Sequence, residues 1–227
     1  MLSWRDPSPD NSDTKSLVFI QAEMASRPSE SGPTNEPPIL ILSRDITIRA
    51  FRKTDAESLA KYGNDREMWL NGPDVVPYPF LITDGEEYIK RALDSSKWLQ
   101  SGDSWAGPAR SVMYAIAKND VAIGSIEFWV GEDIRARSAN LGYWIGRDYW
   151  GQGIATEVVK EFVPWIFETF PKIVRIDAEV HDFNPGSGKV LSKVGFTHLT
   201  TLDYAIWKDG KLAGLELWGM VRPELLK

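Results

Sequence analysis

The sequence predicts an α+β domain, with helices packed on a twisted, mixed but mostly antiparallel sheet. Apolar–polar alternation marks strand-like runs near residues 46–51, 112–116, 121–130, 140–145, 173–180, 201–207 and 212–220. Between them, apolar residues recur at helical spacing in 54–60, 83–99, 154–170 and 184–193. Turn residues, Asn119-Asp120 and Asp209-Gly210, join consecutive strand-like runs, and the second pair is a hairpin signal.

In chain order, residues 1–43 are rich in Ser, Pro, Asp and Glu, a composition that buries too little apolar surface to order itself, so a flexible tail is expected. One apolar island, Ser16 to Met24, is able to dock as a strand or short helix. The folded domain is expected over 44–222, leaving 223–227 as a short C-terminal end. Ile46, Ile48 and Ala50 open it as a strand. Thr54 and Glu57 then have the spacing of a capping box, as do Thr83 and Glu86 ahead of the next helix. Residues 66–82 hold three prolines and several aromatics and read as an irregular loop, a candidate pocket wall. In the run 121–130, Ile126, Phe128 and Val130 share one face, and Glu127 and Trp129 share the other. The helix after residue 153 carries an apolar stripe from Ile154 to Phe170, but Pro164 lies inside it, so a kink or break near Val163 is expected.

Composition narrows the function classes. The formal net charge of −6 argues against nucleic acid as a partner and against a polybasic membrane patch. No cysteine is present, which excludes disulfides, thiolate nucleophiles and cysteine-ligated zinc. With His181 and His198 the only histidines, no metal site is expected. No apolar run approaches the ~18 residues of a membrane span, and the N-terminus lacks the pattern of a signal peptide. The expected location is cytoplasmic, as a monomer or homodimer.

The stretch Leu141 to Glu157, LGYWIGRDYWGQGIATE, reads as a strand, a glycine turn and the start of an amphipathic helix. Helix-start amides have no partner within the helix, and the helix dipole attracts anions. Gly151 and Gly153 would let a diphosphate approach the backbone. An ordinary strand-to-helix turn with two glycines reads the same residues equally well.

Three stretches carry a family likeness: LGYWIGRDYWGQGIATEVV, RIDAEVHDFNPGSGKVLSKVGF and DVAIGSIEFWV. With ITIRAFRKTDAESL they resemble the GNAT superfamily of acyl-CoA-dependent N-acetyltransferases over about residues 44–222, most of all the branch of the ribosomal-protein N-terminal acetyltransferases RimJ and RimL. The resemblance implies the GNAT fold, acetyl-CoA as co-substrate and an amine acceptor, either a protein N-terminus or a small molecule. Departures exist. The superfamily loop pattern [QR]-x-x-G-x-[GA] begins here with Asp148, and the position seven residues after Asn184, where many relatives carry a tyrosine acid, is Leu191.

Acetyl transfer needs a held cofactor, a donor for the developing oxyanion, a base and protection of the leaving thiolate. The first task falls to the backbone of Gly151, Gln152, Gly153, Ile154 and Ala155, with Thr156 adding a hydroxyl. The resemblance sets backbone groups of Trp144, Ile145 and Gly146 against the pantetheine arm and makes Asn184 a side-chain contact to it. Lys189 has the reach for a phosphate, yet a solvated helix lysine is the commoner case. Glu127 is the first candidate base, since burial beside Trp129 would raise its pKa, and an exposed strand glutamate is the equal alternative. Asp177, Glu179 and His181 follow, the first two sharing a face with Arg175 as an ion-pair row would. Ser187 is the candidate thiol acid or else a helix cap, with Tyr143 and Tyr204 behind it. Gly186-Ser187-Gly188-Lys189 fails the phosphate-loop pattern because Phe183 and Val190 occupy its outer positions. A direct transfer in a ternary complex is therefore expected; the alternative is a non-catalytic acyl-CoA-binding regulatory module.

Overall fold

The computed structural model describes residues 36–103 and 107–226, so the expectation for Ser16 to Met24 lies outside the described residues. The elements run β1 (Leu40–Ile41), β2 (Ile46–Arg49), α1 (Ala56–Gly63), α2 (Arg66–Leu70), α3 (Ile82–Leu93), β3 (Leu99–Gln100), β4 (Ala109–Arg110), β5 (Met113–Lys118), β6 (Val121–Val130), β7 (Ser138–Ile145), α4 (Ile154–Thr169), β8 (Arg175–His181), α5 (Pro185–Val194), β9 (Thr197–Lys208) and β10 (Lys211–Val221). Eight strands form one sheet in the order β1-β2-β5-β6-β7-β8-β10-β9, while β3 and β4 pair separately. Every neighbour in the large sheet is antiparallel except β7 and β8.

Both turn signals form hairpins, each with two residues at positive φ: Asn119 at 47° and Asp120 at 65°, Asp209 at 50° and Gly210 at 74°. That backbone matches the right-handed twist of the strands on either side. Strand alternation then sorts the core into two layers. Ile126 and Phe128 meet Val158, Phe162 and Leu191 on the face covered by α4 and α5. Phe51, Leu59, Tyr88 and Ile89 pack with Ala115 and Ala122 on the other, under α1 and α3. Arg49 is buried as well, its guanidinium held by both oxygens of Asp55 at 2.8 and 2.9 Å.

The helix starts differ from the expected capping boxes. Asp55, not Glu57, accepts the N–H of Arg52 at 2.8 Å, and Asp84, not Glu86, accepts that of Leu81 at 2.7 Å. In both cases the chain enters from an extended residue at that site, so the carboxylate three positions later meets the free amide. The segment 66–82 is not wholly irregular. Asp65 caps the short α2 through the amides of Glu67 and Met68, and the helix stops before Gly72-Pro73. Pro164 does not break α4, which runs on to Thr169. It sits on the exposed side, where water reaches the carbonyl that its missing N–H leaves free. Among the described residues no helix is long and apolar enough to cross a membrane, and no group of His, Cys, Asp or Glu is arranged to hold a metal ion.

Candidate active site

Strands β7 and β8 pair at only three positions, Ser138–Asn140 with Arg175–Asp177. Past them β7 continues beside β6 as far as Ile145, and β8 continues beside β10 as far as His181. The sheet therefore opens between Leu141–Ile145 and Ala178–His181, where both of its faces meet. The N–H of Gly146 donates to Ile123 at 2.8 Å, which fixes the phase of β7. By the alternation of an antiparallel ladder, Trp144 and Gly142 also spend their backbone groups on β6, while Leu141, Tyr143 and Ile145 turn theirs toward the opening. Of the three residues that the resemblance assigns to the pantetheine arm, Ile145 faces it this way, whereas Trp144 and Gly146 are engaged with β6. The Ile145 carbonyl takes the indole N–H of Trp150 at 2.6 Å, leaving its amide as the group presented.

The glycine loop follows directly. Arg147–Tyr149 make one 3-10 turn, and Gly151 and Gly153 adopt φ of 71° and 78°, a left-handed region that glycine enters at no steric cost. Nothing lies within 4 Å of where a Cβ would stand on either glycine. Gly153 is the N-cap of α4 and its carbonyl accepts from Glu157 at 3.1 Å. Among the described residues, the backbone N–H groups of Gly151, Gln152, Gly153, Ile154, Ala155 and Thr156 donate no hydrogen bond to the protein. Free amides on two open glycines, at a helix N-terminus beside a gap in the sheet, suit a diphosphate carrying a long apolar arm.

Helix α5 borders the opening on the α4 side. Asn184 caps it, its side-chain oxygen accepting from the Ser187 amide at 3.2 Å. That bond engages the oxygen of the side chain that the resemblance sets against the pantetheine arm. Ser187 is thus no cap. Its hydroxyl instead lies 2.7 Å from the phenol of Tyr143 on β7. Burial pushes the Tyr143 phenol up to about 12, against the opposing hydrogen bond to Ser187. Leu191, in the position where the resemblance implies a tyrosine acid, is fully buried in the core. Lys189 is exposed and forms no ion pair among the described residues.

Glu127 sits on the opposite face. It is half-buried, and one carboxylate oxygen lies 3.6 Å from where a Cβ on Gly142 would stand, so it rests against β7. Burial raises its pKa, with Arg91 and the Tyr88 hydroxyl, 3.4 Å away, acting in the other direction. Trp129 is 51 % exposed and contributes little to that burial. Tyr88 also donates to Ser125 at 2.9 Å and lines a cavity of about 240 Å³ with Val75, Val76, Pro77 and Phe80. The expected pocket wall from residues 66–82 therefore exists. Of the remaining candidates, Asp177 pairs with Arg175 at 2.7 Å, Glu179 on the β8 edge of the opening is exposed, as is Tyr204 on β9, and His181 at the end of that edge is tied to the Leu70 carbonyl at 3.1 Å with its pKa lowered by burial.

Sequence reasoning missed Arg44, Tyr88 and Trp150. Trp150 lay inside the quoted loop, but nothing in the sequence marks which carbonyl an indole will find. Arg44 reaches the loop from the turn before β2, donating to the Gln152 carbonyl at 2.6 Å.

Comparison with known proteins identifies the family. Residues 45–197 match the acetyltransferase (GNAT) domain family. An uncharacterized N-acetyltransferase, p20, of Bacillus licheniformis is 28 % identical over 185 residues, covering 79 % of this chain and 94 % of that protein. Among solved structures, the RimL ribosomal L7/L12 alpha-N-protein acetyltransferase in complex with coenzyme A superposes with a TM-score of 0.65 at 17 % identity, covering 82 % of this chain and 98 % of that one. Mycobacterium smegmatis RimJ in complex with CoA-disulfide gives a TM-score of 0.65 at 20 % identity, over 80 % of this chain and 84 % of that one. The strand order, the gap beside β7, the free amides of the glycine loop and the match over two-thirds of the sequence lead to one assignment: the chain belongs to the GNAT family of acetyltransferases.

Proposed function

We propose that this acetyltransferase moves an acetyl group from acetyl-CoA to a primary amine, a protein N-terminus or a small-molecule amine, by direct attack in a ternary complex. One observation carries the reading: six successive amides, Gly151 to Thr156, are without protein acceptors beside the open end of β7. Acetyl-CoA supplies the activated acyl carbon and the leaving thiol. The loop amides hold its diphosphate, and Thr156 adds its hydroxyl. The Ile145 and Tyr143 amides facing the opening align the arm and donate to the carbonyl oxygen as charge develops there. Lys189, exposed on α5, adds a mobile positive charge.

Glu127 takes the proton from the incoming ammonium, its carboxylate made more basic by burial. The cavity that Tyr88 lines, with Asp84, Glu87 and Arg91 beside its apolar wall, gives the acceptor an approach to that face. On the other face, Ser187 and Tyr143 hold a proton for the thiolate as the C–S bond breaks. The absence of cysteine agrees with direct attack, since no acyl-cysteine can form.

The test is thiol release from acetyl-CoA across a panel of amines that includes peptides with free N-termini, small amines and amino acids. Release above the rate with water, for at least one acceptor, is expected. Tight CoA binding with no release for any acceptor would identify a regulatory acyl-CoA-binding module instead.

A further inference from the structure

The turn between β1 and β2 is far from the glycine loop in sequence and fastened to it in space. Arg44 and Asp45 adopt φ of 58° and 57°, a tight turn that aims the Arg44 side chain outward. One guanidinium nitrogen donates to the Gln152 carbonyl at 2.6 Å, and another pairs with Glu157 at 2.6 Å. The amide of Ser43 donates to the second Glu157 oxygen at 2.7 Å. Glu157 is thus held at both oxygens, one by a charge and one by a backbone dipole.

Two consequences follow for the loop. A trans peptide sets its carbonyl and the next amide in opposite directions. Holding the Gln152 carbonyl toward Arg44 therefore turns the Gly153 amide away from Arg44. The second consequence is electrostatic. Glu157 lies in the first turn of α4, where a carboxylate stabilises the empty helix. The same carboxylate repels any anion brought to that end. The hydrogen bond from Ser43 and the Arg44 guanidinium keep it ionised, holding its carboxyl below the usual range, so protonation does not relieve the conflict at neutral pH.

We propose that Arg44 is a positioning residue for the diphosphate loop: it fixes the Gln152–Gly153 peptide and cancels the charge of Glu157, so that the α4 N-terminus accepts a phosphate-bearing cofactor. The inference rests on the loop reading above and deepens it. Arg44 is not a catalytic residue, since it acts through the loop.

Calorimetry with coenzyme A and, by competition, with pantetheine, which lacks the diphosphate, tests it on the full-length protein. Arg44→Ala should weaken CoA binding about tenfold and leave pantetheine unchanged, in line with the known size of charge effects at helix ends. Arg44→Lys, keeping the charge but not the two-pronged grip, should fall between. Adding Glu157→Gln to Arg44→Ala should recover about threefold of the loss, a rescue that simple loosening of the β1–β2 turn would not give. Glu157→Gln alone keeps the turn folded and should bind CoA about twofold more tightly, because Arg44 is then left without its counter-ion. Wild-type affinity in Arg44→Ala, equal losses for CoA and pantetheine, or no recovery in the double variant would overturn the proposal. Failure of the loop reading has a different signature: Gly153→Val would then bind CoA like the wild type.

Discussion

The phenol of Tyr143, on β7, and the hydroxyl of Ser187, on α5, stand 2.7 Å apart across the opening in the sheet. A strand and a helix separated by 44 residues so place two hydroxyls where Leu191 offers none. With the Tyr143 phenol raised to about 12 by burial, the pair stays protonated through the neutral range and keeps a proton to give. Tyr143→Phe and Ser187→Ala should each lower kcat by about 10–100-fold, with the KM for acetyl-CoA little changed. The double variant should lose scarcely more than either single one, because two members of one relay are not additive. An acetyl thioester with a more acidic thiol should restore much of the rate in all three. Steady-state kinetics with both donors checks this, and equal losses with both would remove the pair from proton transfer.

Glu127 makes a prediction in pH. A base works only when ionised, and burial raises the pKa of this carboxyl. The wild type should gain rate as pH rises through that value, whereas Glu127→Gln should stay flat. The gap between them is therefore widest above the Glu127 pKa and closes below it. Stability gives an independent reading of the same shift. A carboxyl whose folded pKa lies above its unfolded value contributes stability below the unfolded value and loses it as pH rises through the folded one. Glu127→Gln should melt higher than the wild type above the folded pKa and no higher in acid. Melting curves and pH–rate profiles measured on one preparation test both.

What the sequence shows and what it hides divides along physical lines. Features fixed by a few adjacent residues were legible: the Asn119-Asp120 and Asp209-Gly210 turns, the glycine loop with its free amides, and the alternation that puts Glu127 and Ile126 on opposite faces of β6. Helix starts were legible only to within a residue or two. The carboxylate–amide pairs stand at Arg52–Asp55 and Leu81–Asp84, two residues before the expected Thr54–Glu57 and Thr83–Glu86, because the extended entering residue sets where each box forms. Of the kink or break expected near Val163, the break does not occur, because exposure of that face satisfies the freed carbonyl. Pairings across the fold had no local signature. Arg44 meets Gln152 at a separation of 108 residues, and Tyr88 meets Ser125 at 37, so only the folded sheet brings them together.

Gly153 is where backbone conformation and cofactor binding can be separated. Its φ of 78° disfavours any side chain, yet no atom beyond its chain neighbours lies within 4 Å of a Cβ there. Gly153→Ala should cost about 1 kcal/mol in stability from the left-handed backbone alone, with modest loss of CoA affinity. Gly153→Val adds branches over the loop amides and should abolish measurable CoA binding while the protein stays folded. Denaturant unfolding beside calorimetry resolves the two effects. A Val variant that binds CoA normally would contradict the assignment of these amides to the diphosphate.

The buried pair Arg49 and Asp55 tests the scaffold under the site. Both side chains are nearly inaccessible, at 2 % and 6 % exposure, and Asp55 also receives the Arg52 amide. Removing the carboxylate leaves a desolvated guanidinium whose other carboxylate partner, Asp120 at 3.2 Å, is 65 % exposed and shared with Arg52. Asp55→Ala should therefore cost about 3 kcal/mol, or a fall of roughly 6–12 °C in Tm for a protein of this size. Removing both charges should be gentler than removing one, because the penalty comes from the orphaned ion more than from the lost attraction. Arg49→Met with Asp55→Leu should recover at least half of the loss, the remainder reflecting the uncapped Arg52 amide. Chemical denaturation of the two variants decides the point: a double variant no more stable than Asp55→Ala would show that the pair holds the β2–α1 connection by its hydrogen bonds rather than by avoiding a buried unpaired charge.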